Sequence, residues 1–142
     1  MLVRDIMTQS VITISPTSSI GTAIDLMREH GFRRLPVVED DKLIGIVTDR
    51  DLRQATNSPL VLRERWYNEF LLEAIKVRSC MTTNPFSVEP TTPVAVAAQL
   101  LREHKISGLP VVEGEAVVGM VTITDMLDCL VHLLSNDTPP AA

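Results

Sequence analysis

Apolar and polar positions change period along this chain in a fixed order. Val11-Ile12-Thr13-Ile14 alternates as a short strand and is ended by Ser15-Pro16. Ile20, Ala23, Ile24 and Met27 then fall at i, i+3, i+4 and i+7, the stripe of an amphipathic helix, with Gly31 behind His30 as its stop. Residues 35–38 and 43–47 read as two strands joined by the acidic turn Glu39-Asp40-Asp41, and Thr48 starts a further helix. The pattern predicts a β-α-β-β-α unit of about 50 residues, too small to bury much core alone.

The same succession returns 74 positions later. Residues 3–52 laid on 77–126 align without a gap and share 20 identities in 50 positions, where ordinary composition gives roughly 3 or 4. Met7-Thr8 returns as Met81-Thr82, Arg28-Glu29-His30 as Arg102-Glu103-His104, and Leu35-Pro36-Val37-Val38-Glu39 as Leu109-Pro110-Val111-Val112-Glu113. The second helical stripe is Val94, Ala97, Ala98 and Leu101, and Thr92-Pro93 reads as its N-cap and first-turn pair, with Ser18-Ser19 in the same places of the first copy. The chain is therefore a duplicated α+β unit whose copies pack together: repeat one over 1–58, a connector over 59–76, repeat two over 77–134, and a small, polar, Pro-rich tail over 135–142. Leu62, Trp66, Phe70 and Ala74 recur every four residues, so the connector reads as partly helical, and Trp66 and Phe70 as a core plug or a contact between copies of the chain.

Composition narrows the class. With 142 residues, 45% hydrophobic and 22% charged, the chain can build a continuous core and is not disordered in bulk. A net charge of -5 argues against a nucleic-acid binder, and no apolar run approaches the ~18 residues of a membrane span. Residues 1–7 lack a signal-peptide stretch, and Cys80 and Cys129 form neither a framework nor a Cys-x-x-Cys pair, which together read as a cytoplasmic protein. Neither metal-ligand spacing nor a nucleophile motif is present, so an enzyme is not expected. His30 and His104 stand at helix ends, where a cation complements the dipole, and His132 stands alone.

The residues that carry candidate chemistry are Gly45-Ile46-Val47-Thr48-Asp49-Arg50-Asp51 and Gly119-Met120-Val121-Thr122-Ile123-Thr124-Asp125. Asp51 and Asp125, held at a helix start, can accept hydrogen bonds from both hydroxyls of a ribose. Thr48 and Thr122, three residues earlier, can reach ribose or a first phosphate. Thr-x-x-Asp also matches a capping box, and the two roles are compatible. Gly45 would let the strand backbone come close to a ligand or to the other copy. Arg33 and Arg34 read as solvated charges at a strand entry. Ile12, Ile14 and Val38, with Phe86, Val88 and Val112, read mostly as core.

Taken together, Val-Arg-x-x-Met-Thr, the strand, Pro-Thr, the helix, Leu-Pro-Val-Val and Gly-h-h-Thr-x-x-Asp (h apolar) resemble a tandem CBS-domain pair, or Bateman module, over residues 1–134. The resemblance implies two β-α-β-β-α repeats packed as a pseudo-twofold pair with two clefts that bind AMP, ADP or ATP as regulatory ligand, or S-adenosylmethionine or NAD. It implies a homodimer of four CBS repeats, reporting energy or metabolite status to a regulated protein. An alternative is a structural dimerisation module without a ligand. By the resemblance, Arg33 and Arg34 face phosphate, Thr13 and Ser87 the base edge, and Ile14, Pro36, Val88 and Pro110 complete the sites with Thr48, Asp51, Thr122 and Asp125. The second copy departs at Arg33-Arg34, where Ser107 and Gly108 stand and Lys105 is the nearest cation.

Overall fold

The computed structural model describes residues 1–56, 70 and 72–137. Trp66 and most of the connector expected over 59–76 lie outside them, and Phe70 is exposed. The chain forms two compact units, each holding its own core: a central unit, Ile12–Pro85, and a terminal unit made of Met1–Val11 with Phe86–Ala142.

In the central unit, helix α2 (Ile20–His30) buries Ile20, Ala23 and Met27. Ser19 caps it, its Oγ accepting the Thr22 N–H at 3.1 Å. Gly31, at φ 70, ends it, the Gly31 and Phe32 N–H groups both donating to the Met27 carbonyl. Strands β1 (Arg34–Glu39) and β2 (Lys42–Thr48) pair as an antiparallel hairpin around Asp40 and Asp41, both with positive φ, as a two-residue primed turn requires. Helix α3 (Asp49–Thr56) follows at once. The core is Ile14, Ile20, Ala23, Met27, Leu35, Val37, Val47, Leu52 and Val77.

The terminal unit repeats this plan. Helix α4 (Val94–His104) precedes strands β4 (Gly108–Glu113) and β5 (Ala116–Thr122), and helix α5 (Ile123–Asp137) closes it, running three residues into the stretch expected as a tail. Its core is Val3, Val88, Ala97, Leu101, Leu109, Val111 and Val121. Lys105 sits where Gly31 sits in the first copy and takes the same left-handed conformation, φ 54. A side chain there costs roughly 1–2 kcal/mol that glycine does not.

Two sequence expectations shift. The strand expected at residues 11–14 is a single parallel bridge, Ile14 to Val37, matched by Val88 to Val111 in the other unit. Thr13 and Ser15 on either side of Ile14 are exposed, and among the described residues the ladder extends no further. The helix expected to begin at Pro93 begins at Val94: Pro93 is itself the N-cap, and the Thr92 hydroxyl accepts the Glu89 N–H at 3.0 Å instead.

The sequence repeats are also not the compact units. The opening segment, with helix α1 (Val3–Ile6), belongs to the terminal unit: the Val3 N–H donates to the Thr92 carbonyl at 2.8 Å, and Thr8 exchanges two bonds with Met120 at 2.8 and 2.9 Å. The equivalent stretch 74 residues on completes the central unit. There the Val77 N–H donates to the Ser18 carbonyl at 2.8 Å, and β3 (Thr82–Thr83) pairs with Gly45 and Ile46 of β2. Each leading segment thus pairs with the hairpin of the other repeat, residues 82–83 as a third strand and Thr8 as a single bridge to Met120. This gives Gly45 and Gly119 their reason. A Cβ on Gly45 would meet Met81 Sδ at 2.8 Å and the Thr82 carbonyl oxygen at 2.9 Å; one on Gly119 would meet Met7 Sδ at 2.7 Å and the Thr8 carbonyl oxygen at 3.0 Å. Of the two uses expected for Gly45, the close approach of a segment from the other repeat is the one seen.

Candidate functional site

The helix starts are built alike in both units. The Thr48 N–H donates to Asp51 Oδ2 at 2.9 Å, and the Asp51 N–H donates to Thr48 Oγ1 at 3.1 Å. In the terminal unit the Thr122 N–H donates to Asp125 Oδ2 at 2.8 Å and the Asp125 N–H to Thr122 Oγ1 at 3.2 Å; the Thr122 hydroxyl also donates to Asp125 Oδ2 at 3.1 Å. These are reciprocal capping boxes. They lock both carboxylates at half-buried helix starts, with the same oxygen, Oδ2, engaged internally in each.

A β-bulge decides what faces each box. At the turn, Glu39 pairs with Lys42 and Val38 with Leu43, but beyond the irregularity at Val37/Val38 the register shifts by one, so Arg34 pairs with Thr48. Without the shift, Arg34 would stand opposite Val47 and its side chain would leave the Thr48 face. The Asp49 N–H also donates to the Arg33 carbonyl at 2.8 Å, clamping the strand entry to the helix start. The terminal unit makes the same shift and the same clamp, with Gly108 opposite Thr122 and the Ile123 N–H on the Ser107 carbonyl at 2.9 Å.

The electrostatics of the two boxes differ. Half-burial pushes the Arg34 guanidinium below its ordinary pKa, and the carboxylates of Asp49 and then Asp51 pull it back up. The Cys80 thiol is held above its ordinary value, by burial first and by the Asp51 charge second. The central unit therefore gathers Arg34, Asp49 and Asp51 around Thr48, with Arg33 exposed at the strand entry. Asp49 also makes an exposed pair with Arg53, at 3.6 Å.

The remaining expected residues separate by burial. Thr13 and Ser87 are exposed, while Ile14 and Val88 are buried core. Pro36 and Pro110 are fully buried, and their carbonyls accept the Ile14 and Val88 N–H groups at 3.0 and 3.1 Å. This places Thr13 next to a residue bonded to Pro36, on the strand that begins with Arg34, and Ser87 next to one bonded to Pro110. Sequence reasoning missed one contact: Phe86, half exposed at 51%, stacks on His104 with ring centroids 3.8 Å apart. Ile12 holds the equivalent place in the central unit, where His30 lies by Phe32 at 6.0 Å. The two rings lie far apart in sequence, and no period links them. Among the described residues, no cluster of His, Cys, Asp and Glu is placed to hold a metal, and no helix is long and apolar enough to cross a membrane.

Residues 3–58 and 77–132 each match the CBS domain. A CBS domain-containing protein of Dictyostelium discoideum is 40% identical over 145 residues, covering 99% of this chain and 97% of its own. Among solved structures, the CBS domain pair of protein MJ0100 in complex with 5'-methylthioadenosine and S-adenosyl-L-methionine superposes with a TM-score of 0.79 at 29% identity, covering 94% of this chain and 98% of that one. CBSX2 in complex with AMP superposes with a TM-score of 0.77 at 28% identity, covering 93% and 97%.

Proposed function

This chain belongs to the CBS-domain family, and from that premise we propose that it is a non-enzymatic regulatory module that binds an adenosine nucleotide at its Thr-x-x-Asp boxes. The observation that carries the reading is the box itself. Each capping box fixes a carboxylate with one oxygen engaged internally, which leaves the other as an acceptor for the two hydroxyls of a ribose. In the central unit Arg34 stands across the strand pair from Thr48, where a planar guanidinium suits a phosphate. Thr13 and Ser87 are exposed and available to a base edge, and the backbone around Ile14, Pro36, Val88 and Pro110 would flank it. The complexes of similar CBS pairs with AMP, S-adenosyl-L-methionine and 5'-methylthioadenosine support the adenosine class.

The ligand acts as effector: AMP, ADP or ATP shifts the module between states in proportion to its differential affinity for them, and a regulated protein reads the outcome in the cytoplasm. The module works as a homodimer. Helix α5 supports this, because Leu127, Leu130, Val131, Leu133 and Leu134 all stand exposed on it. A structural module without a ligand is the second reading, favoured by the fact that each box already satisfies its own backbone donors.

A thermal-shift series with AMP, ADP, ATP, NAD and S-adenosylmethionine separates the two. A ligand at about 100 times its Kd adds roughly 2.7 kcal/mol to the folded state. The double substitution Asp51→Ala/Asp125→Ala should abolish that rise. Unchanged nucleotide affinity in the double variant would remove the boxes from the site.

A further inference from the structure

By the offset of 74, Met1 stands where Ile75 stands in the central unit, and the two are held alike. The Val94 N–H donates to the Met1 carbonyl at 3.0 Å, as the Ile20 N–H does to the Ile75 carbonyl at 2.9 Å. What surrounds them is not alike. In the central unit the helical turn 72–74 lies over the start of α2, and Leu72 and Ile75 pack on the core with Ile24 and Ala55. In the terminal unit the same place stands open. We infer that this open seam, between the first turn of α4 and helix α5, is the docking site for an amphipathic helix with a basic flank, supplied by another protein. The inference names the surface that a regulated protein would read, and to that extent it rests on the regulatory reading.

Matched positions show the difference. Gly21 is half-buried because Leu72 lies over it: a Cβ there would meet the Leu72 carbonyl oxygen at 3.2 Å. Its counterpart Ala95 is exposed. Thr56 is half-buried on α3, whereas its counterpart Leu130 is 50% exposed on α5. Met1, 59% exposed, reaches across to α5, its Sδ 3.3 Å from Cys129 Sγ, and Cys129 holds the place of Ala55. Leu133, also exposed, stands one turn beyond Cys129 on the same side of the helix. The seam is therefore lined by Ala95, Met1, Cys129, Leu130 and Leu133, all apolar or weakly polar. Ala95 carries the methyl that Gly21 lacks, so a guest turn lies a few tenths of an ångström further out than Leu72 does.

Shape and charge together specify the guest. The covered twin shows that a helical turn fits this frame, with apolar anchors three residues apart, as Leu72 and Ile75 are. Positions 123–137 hold three aspartates and neither lysine nor arginine, in a chain of net charge -5. Asp128 adjoins Cys129, and Asp125 precedes it by one turn. A second α5 laid in the seam would bring like charge against these carboxylates, whereas a helix flanked by lysine or arginine brings the opposite charge. Contact between copies of the chain keeps Leu127, Val131 and Leu134, which follow at i, i+4 and i+7 along the neighbouring side of α5.

The probe is a fluorescent synthetic peptide of about 14 residues, long enough to form a helix, with leucine at i, i+3 and i+7 and lysines beside them. Titrated against the full chain and followed by anisotropy, it should bind saturably. Leu130→Ser/Leu133→Ser should weaken it at least about tenfold, and Leu127→Ser less than about twofold. A twin peptide with glutamate for lysine should bind at least about threefold more weakly, the gap closing at about 0.5 M salt. Bound peptide should slow alkylation of Cys129 and leave that of Cys80, in the central unit, unchanged. Fusing the sequence of residues 70–74, Phe-Leu-Leu-Glu-Ala, ahead of Met1 removes no core residue and should block the peptide, which guards against a folding defect in the leucine variant. Absent binding, binding indifferent to Leu130 and Leu133, or an unprotected Cys129 overturns the assignment. So does a leucine variant that sediments as a monomer while the peptide binds neither form, since the seam would then belong to a second copy. The nucleotide thermal shift, read in parallel, separates the two readings: a shift without peptide binding overturns the seam alone, and peptide binding without a shift overturns the nucleotide reading alone.

Discussion

Adding one methyl group at Gly45 sets two effects of opposite sign against each other. Alanine restricts the unfolded chain and by that alone stabilises a compatible site by about 0.4–1 kcal/mol. In this fold its Cβ would lie 2.8 Å from Met81 Sδ and 2.9 Å from the Thr82 carbonyl oxygen, well inside the ~3.5 Å of an ordinary non-bonded contact. The thioether can turn away. The carbonyl cannot, because Thr82 is held in the ladder opposite Ile46. Relief then requires β3 to move off β2, and overpacking of this kind costs about 1–3 kcal/mol. The clash wins: Gly45→Ala should be destabilising by about 1–2 kcal/mol net, a loss of several degrees in Tm for a chain of this size. Urea denaturation followed by circular dichroism measures the change, and amide exchange at Ile46, Thr82 and Thr83 should quicken selectively. A Tm that holds or rises would mean that β3 does not rest on this glycine, and the exchanged-segment account of the fold would fail with it.

Helix-end geometry gives a matched pair of substitutions. Lys105→Gly should raise Tm by a few degrees, since the left-handed φ of 54 penalises a side chain by roughly 1 kcal/mol, and Gly31→Ala, at φ 70, should lower it by a similar amount. Differential scanning calorimetry of the two variants reads both signs. Val3→Ala removes two methyl groups from a fully buried position in the terminal core and should cost about 2 kcal/mol. In a two-dimensional NMR spectrum its largest shifts beyond its own segment, 1–11, should fall among residues 86–126, not among residues 12–56 of the repeat that carries it. The opposite distribution would contradict the terminal unit's composition.

Much of this fold was legible because its determinants are local. The stripe Ile20, Ala23, Ile24, Met27 specified α2, and the doublet Asp40-Asp41 between two apolar runs specified the hairpin. Thr-x-x-Asp read as a capping box is one in both units. The exchange of the leading segments was not legible, for a reason specific to a duplication. Met7-Thr8 and Met81-Thr82 are identical, as are Gly45 and Gly119, so each segment fits its own repeat's strand as well as the other's on any local criterion. Arg34 opposite Thr48 was hidden differently: the turn alone would align Arg34 with Val47, and only the bulge at Val37/Val38 moves it. A bulge follows from how a strand bends over its core, which no two-residue period encodes. Phe86 on His104 depends likewise on where a helix end meets a loop.

The exchanged segments also bear on the order in which a ribosome can deliver this fold. Everything the central unit needs, from Ile12 to Pro85, emerges in one continuous stretch. Residues 1–11 are made before the central unit, yet their partners, Thr92 and Met120, are made after it. Val3 and its apolar neighbours must therefore stay unsheltered until residues 92–120 have been synthesised. The closure costs little in stability, because loop entropy grows only with the logarithm of length, but it slows the final step. A segment made before its partners is thus among the last to dock, which makes residues 1–11 the place where a chaperone, or a neighbouring nascent chain, would take hold.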